Sequence, residues 1–143
     1  MLKSFPLLIL VVILYNLIVF GGGAAGQPDM SALMAEGVTV HMFSGDPWIF
    51  RLGDLIVLVG LGLLFVEVIK STRTGAIEVI NHALSMLVFI IALVEFIVLK
   101  GFSTSAFFFI VMMTLFDVVA GFTISIVAAK RDLGVAGGLI GTN

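Results

Sequence analysis

The chain has 143 residues, 61% of them hydrophobic and only 11% charged, with a net charge of -2 and a mean hydropathy of +1.29. A soluble domain needs about 25% charged residues to clothe its surface, so this single-domain length of chain is built mostly for lipid. Seven Lys and Arg against nine Asp and Glu leave no basic face for a nucleic acid backbone. The lack of cysteine removes disulfides, thiol nucleophiles, iron-sulfur sites and thiolate zinc sites.

The first apolar run, 5–25, follows Lys3 and ends in Gly21-Gly22-Gly23-Ala24-Ala25-Gly26. A basic start, an apolar stretch and small residues also describe a signal peptide. A first transmembrane helix is the reading adopted, with Asn16 inside it as a helix-to-helix hydrogen-bonding group. Residues 27–48 form a short acidic extramembrane segment carrying Asp29, Glu36 and Asp46. Asp29 is placed to cap a turn in which Met30, Leu33 and Met34 share a face, as in a small interfacial helix. Val38, Val40 and Met42 then alternate with Thr39, His41 and Phe43, which suggests an extended piece. Asp46-Pro47 reads as a helix start, with Asp as N-cap and Pro at the first helical position, and Trp48 belongs at headgroup level.

In the second run, 49–69, Gly53, Val57, Gly60, Leu64 and Glu67 fall on one side, a stripe of the kind that lets helix backbones approach closely. After a basic turn, the third run, 77–99, carries Glu78, Asn81, His82 and Ser85 on one face, with Glu95 at its edge. Across the link Lys100-Gly101-Phe102-Ser103-Thr104, the fourth run, 105–129, repeats the device with Thr114, Asp117, Gly121, Ser125 and Ala128. The glycine-rich tail, 130–143, has too little apolar periodicity to predict structure. The expected fold is therefore all-α: one polytopic membrane domain of four transmembrane helices in an antiparallel bundle, with a short extracytoplasmic segment between the first and second. Lys3, Lys70, Arg73, Lys130 and Arg131 fall on one side, against Arg51 and Lys100 on the other. That asymmetry puts both termini in the cytoplasm, with the chain in a cell membrane, read as a bacterial inner membrane.

Asp117 is the sharpest functional candidate. A charge at a helix centre costs about 2.5 to 3.5 kcal/mol on insertion scales, and each surrounding Leu, Ile, Phe or Val returns about 0.3 to 0.6 kcal/mol. The helix inserts, but its carboxyl must face protein or water. No Lys or Arg shares its depth, so a neutral, hydrogen-bonded Asp117 is expected. By depth, Asp54 and Glu95 lie toward the outside, Asp117 is central, and Glu67 and His82 lie toward the cytoplasm, a series that suits a proton relay or cation path. Local pairing competes with that reading: Arg51 with Asp54, Glu67 with Lys70 and Glu78 with His82 have helical spacing, and Glu67 and Glu95 lie near helix ends, where side chains reach headgroups. His41 and His82 fall on opposite sides and do not suit a shared haem. No cofactor, metal site, nucleophile triad or phosphate loop is expected. The helix-packing candidates are Gly53, Gly60, Gly121 and Ser125, while Phe108 and Val111 are expected to face lipid. The functional expectation is a non-enzymatic integral membrane protein that acts by helix packing, as a homo-oligomer or an accessory subunit of a larger membrane complex. Its partners would be the lipid bilayer and membrane protein, with no nucleic acid. The alternative is an ion or proton channel or transporter component using Asp117, Glu95 and Glu67.

Overall fold

The computed structural model describes residues 5–21, 29–72 and 76–140, the side chains of 76–79 and 131–140 excepted. In chain order the elements are α1 (Ile9–Gly21), α2 (Met30–Ala35), β1 (Gly37–His41), β2 (Pro47–Arg51), α3 (Leu52–Ser71), α4 (Ala76–Val98) and α5 (Ser105–Ile140). Three stretches, Leu52–Ser71, Ile80–Val98 and Ser105–Lys130, are long and apolar enough to cross a membrane, with mean hydropathies of 2.4, 2.1 and 2.2. The 13 residues of α1 extend about 20 Å at 1.5 Å per residue, short of a hydrocarbon core of about 30 Å. Residues 22–25 of the expected first span lie outside the described residues.

The helices alternate in direction. Helix α1 starts beside the C-terminal end of α3, where the Leu7 N–H reaches Glu67, and Val11 passes Gly60. It ends beside the α4–α5 link, where Tyr15 reaches Gly101 and Thr104. Helix α5 packs along both α3 and α4. Leu8, Val11, Ile56, Val88, Ala92, Phe107, Ile110 and Val111 fill the interior, while Leu17, Phe65, Ile97 and Phe116 point outward, each more than half exposed. Apolar side chains on both the inside and the outside suit a lipid solvent, in which close packing and polar contacts, rather than burial from water, hold helices together. Val111 belongs to the interior and does not face lipid as expected; Phe108 is exposed.

The small helix predicted after Asp29 is present. The Asp29 Oδ1 atom accepts from the Ser31 N–H at 3.0 Å and from the Ser31 hydroxyl at 2.6 Å, satisfying a donor the first turn leaves orphaned. These donors hold the Asp29 carboxyl below the usual carboxylate range. The cap is therefore in place above the ordinary Asp value and is lost as pH falls through the lowered one. Met30 and Met34 are buried beneath it.

The extended piece after Glu36 is also present, but it is one arm of a hairpin rather than an isolated strand. Strand β1 pairs antiparallel with β2 in the register Gly37↔Arg51 to His41↔Pro47. This corrects the helix start read at Asp46-Pro47. Asp46 closes the turn instead, its carbonyl accepting from the Met42 N–H at 3.0 Å and its carboxyl from the Ser44 hydroxyl at 3.2 Å. Gly45 supplies the positive φ of 91°. Pro47 then opens a strand, where it is equally well tolerated, and Trp48-Ile49-Phe50 are strong strand formers. Gly37 is required by close approach, because a Cβ there would overlap the Phe50 carbonyl. The helix begins only at Leu52.

The tail expected to be unstructured is helical to Ile140. Nucleation is the costly step in helix formation, and α5 is already nucleated when it reaches Gly134. Glycine lowers propensity without blocking the backbone hydrogen bond as proline does.

Candidate functional site

Glu67 is fully buried and joins three segments of the chain. Its Oε2 accepts from the Leu7 N–H at 2.9 Å, just before α1, and its Oε1 accepts from Asn81 Nδ2 of α4 at 2.7 Å. Lys70, one turn further along α3, brings its Nζ to 2.9 Å from Oε1 and donates to the Phe5 carbonyl at 2.6 Å. The pairing of Glu67 with Lys70 read from their spacing is present. The expectation that Glu67 reaches headgroups is overturned: it sits on the inward stripe with Gly53 and Gly60, so its position around the helix, and not its distance from the end, decides where it points.

Asp117 lies on α5, 2% exposed, with the Ser85 hydroxyl of α4 beside its carboxyl and Glu67 and Lys70 close enough to act on its charge. Asp117 Oδ1 and Asn81 Oδ1 are buried without a hydrogen-bond partner among the described residues. One turn away, His82 of α4 is packed onto Gly121 of α5, where any Cβ would overlap the imidazole ring. The antiparallel register thus gathers Glu67, Lys70, Asn81, His82, Ser85 and Asp117 at one end of the bundle. The Glu78 side chain lies outside the described residues.

Glu95 belongs to a separate joint. It accepts from Asn16 Nδ2 of α1 at 3.0 Å, the helix-to-helix hydrogen bond expected of Asn16. Between Glu95 and Asp117 the interior holds Thr114, whose hydroxyl turns back onto the Val111 carbonyl of its own helix at 2.8 Å, and then Val88, Ala92, Phe107, Ile110 and Val111, each 7% exposed or less. The series read from depth alone is therefore interrupted by an apolar layer. Asp54 is exposed and accepts from the Arg51 N–H at 2.9 Å, closing the first turn of α3. It is a helix-start residue and no part of the buried cluster.

The packing candidates act within the chain. A Cβ on Gly53 would stand 3.2 Å from the Met34 carbonyl and 3.4 Å from Ala106, and one on Gly60 would stand 3.0 Å from Met113 Sδ. Ser125 is half-buried on α5. Sequence reasoning missed Tyr15, whose hydroxyl lies 2.6 Å from Thr104 Oγ1 and donates to the Gly101 carbonyl at 3.2 Å. Thr104 Oγ1 in turn accepts from the Phe107 N–H at the start of α5. A lone tyrosine in an apolar run needs a partner for its hydroxyl, and that was the available signal.

His41 is on the hairpin and His82 near the other end of α4, so they do not share a ligand. Among the described residues no group of three or more His, Asp or Glu side chains is placed to hold a metal. An open cleft of about 350 Å³ lies at the hairpin end, lined by Ser31, Arg51, Asp54, Ser103, Thr104 and Phe109 among others. Comparison with protein-family models, with curated proteins and with solved structures returns no match for this chain.

Proposed function

We propose that the chain is a four-span integral membrane protein of non-enzymatic type, an up-down-up-down bundle that works by assembling with copies of itself or with a larger membrane complex. The observation that carries this reading is how a set of its buried and half-buried polar groups is used. Glu67, Asn81, Lys70, Asn16, Glu95, Tyr15 and Thr104 hydrogen-bond one segment of the bundle to another, as expected of structural joints in lipid. Helix α1 supports a fourth span, because its contacts run from the Glu67 end to the Gly101 turn. The glycine stripes of α3 and α5 are occupied within the chain, so contacts with partners fall on its outer apolar faces. Native mass measurement of gently extracted protein should find a homo-oligomer or a defined membrane complex. A lone monomer at every detergent concentration would sink the reading.

Four spans with cytoplasmic termini place the hairpin and the C-terminus on opposite sides of the membrane. Reporter fusions at Ser44 and after Asn143 should therefore report opposite compartments. The same compartment for both would rule out the arrangement.

A second reading, a proton or cation conductor, is favoured by Asp117 Oδ1, buried without a hydrogen-bond partner among the described residues; the apolar layer above Asp117 weighs against it. Asp117→Asn keeps size and hydrogen bonding but cannot titrate, so in a structural joint it should leave assembly intact. Asp117→Leu should then lose about 0.6 to 2 kcal/mol, the worth of a membrane hydrogen bond. A flux in vesicles that is present in the wild type and absent in Asp117→Asn would reverse the order of the two readings.

A further inference from the structure

We propose that the β1–β2 hairpin lies on the bilayer surface, with one apolar face sunk at the boundary between headgroups and acyl chains. Successive side chains of a strand point to opposite faces, and the register makes Val38↔Phe50 and Val40↔Trp48 cross-strand pairs on a single face. The Trp48 and Phe50 rings meet edge-on there, 5.4 Å apart. The other face carries Thr39, His41 and Arg51 together with Ile49 and Pro47, so it is the more polar of the two but holds neither Phe nor Trp. Val38 is 70% exposed, and Val40 and Trp48 nearly half, so the described chain leaves this face largely uncovered. A free two-stranded hairpin is marginal in water, and one with its aromatic side exposed gains from a second apolar surface.

Continuity with the lipid-facing surface of α3 identifies that surface. Strand β2 passes into α3 without a linker, Arg51 ending one and Leu52 beginning the other. The Leu52 N–H donates to the Glu36 carbonyl at 2.8 Å, which pins the base of the hairpin at the level where the apolar span starts. The 20 residues of that span match a hydrocarbon core of about 30 Å, so the hairpin springs from the headgroup layer. Exposed Leu55 and Leu58 begin the lipid-facing side of α3 within two turns of the end of β2. Amphipathic elements at this depth sink their apolar side about 5 to 10 Å, and tryptophan favours the same layer.

The inference rests on the membrane reading, and Trp48, the single tryptophan of the chain, tests it. The full chain is reconstituted in phosphatidylcholine vesicles and first washed at alkaline pH. Release by the wash would overturn the membrane reading itself, and the inference with it. In retained protein, Trp48 emission should be blue-shifted, quenched by lipids brominated high on their acyl chains, and several-fold less sensitive to aqueous iodide than in the unfolded chain. Val38→Ser combined with Val40→Ser should restore iodide quenching while the chain stays in the vesicles. Full iodide access without lipid quenching overturns the proposal, as does an unchanged response in the double variant. Protection from both quenchers that depends on protein density would mean that a second copy covers the face, and also overturns it.

Discussion

Glu67→Ala is expected to lose about 3 kcal/mol of stability, since breaking a buried ion pair by removing one partner typically costs about 3 to 5 kcal/mol. The lower end applies because the Lys70 side chain is 15% exposed and keeps the Phe5 carbonyl as a second acceptor. The loss has three sources: the Leu7 N–H, the Asn81 amide and the Lys70 ammonium are each left short of an acceptor, and an unsatisfied buried donor costs about 1 to 3 kcal/mol. Glu67→Gln keeps one carbonyl but turns an amide donor toward groups that also donate, so it should fall between alanine and wild type. The triple change Glu67→Leu, Lys70→Leu, Asn81→Leu should recover much of the loss, because replacing a whole buried network with apolar side chains is often neutral. Denaturation in detergent micelles, followed by helicity, measures all four proteins. Equal midpoints for wild type and Glu67→Ala would show that the carboxylate is not the joint between α1, α3 and α4.

How much of this was legible in the sequence follows from the range of each signal. The three helices long and apolar enough to cross a membrane were readable because a long apolar run speaks for itself. The hairpin was not, since Asp46-Pro47 is chemically as good a turn and strand opening as a helix start; only pairing with Val38 and Val40 decides between them. The stripe Gly53, Gly60, Glu67 was visible at seven-residue spacing, yet distance from the helix end suggested that Glu67 reached headgroups. Its partner Asn81 and the neighbours Ser85 and Asp117 depend on the register between antiparallel helices, which no single helix encodes. Depth alone put Glu95 and Asp117 in one series, whereas the apolar layer between them comes from side chains on both α4 and α5.

The register also sets the second large effect, at Gly121. A Cβ on Gly121 would stand 2.6 Å from His82 Cε1 and closer still to Nδ1, and the ring is only 1% exposed, with Phe122 beside it. Alanine would gain helix propensity worth about 1 kcal/mol over glycine, but a rigid buried ring has nowhere to go and overpacking costs about 1 to 3 kcal/mol. The overlap should win: Gly121→Ala destabilises, and Gly121→Leu destabilises more by driving α4 and α5 apart. Gly60 is the contrast, because its nearest neighbour is the flexible end of Met113 at 3.0 Å, which can shift by a rotamer. Gly60→Ala should therefore be close to neutral. In the Gly121→Ala background, His82→Ala should cost less than it does alone, a coupling of about 0.5 to 3 kcal/mol for residues in contact. Additive losses in that cycle, or a Gly121→Ala protein as stable as wild type, would show that the His82 ring does not rest on the α5 backbone.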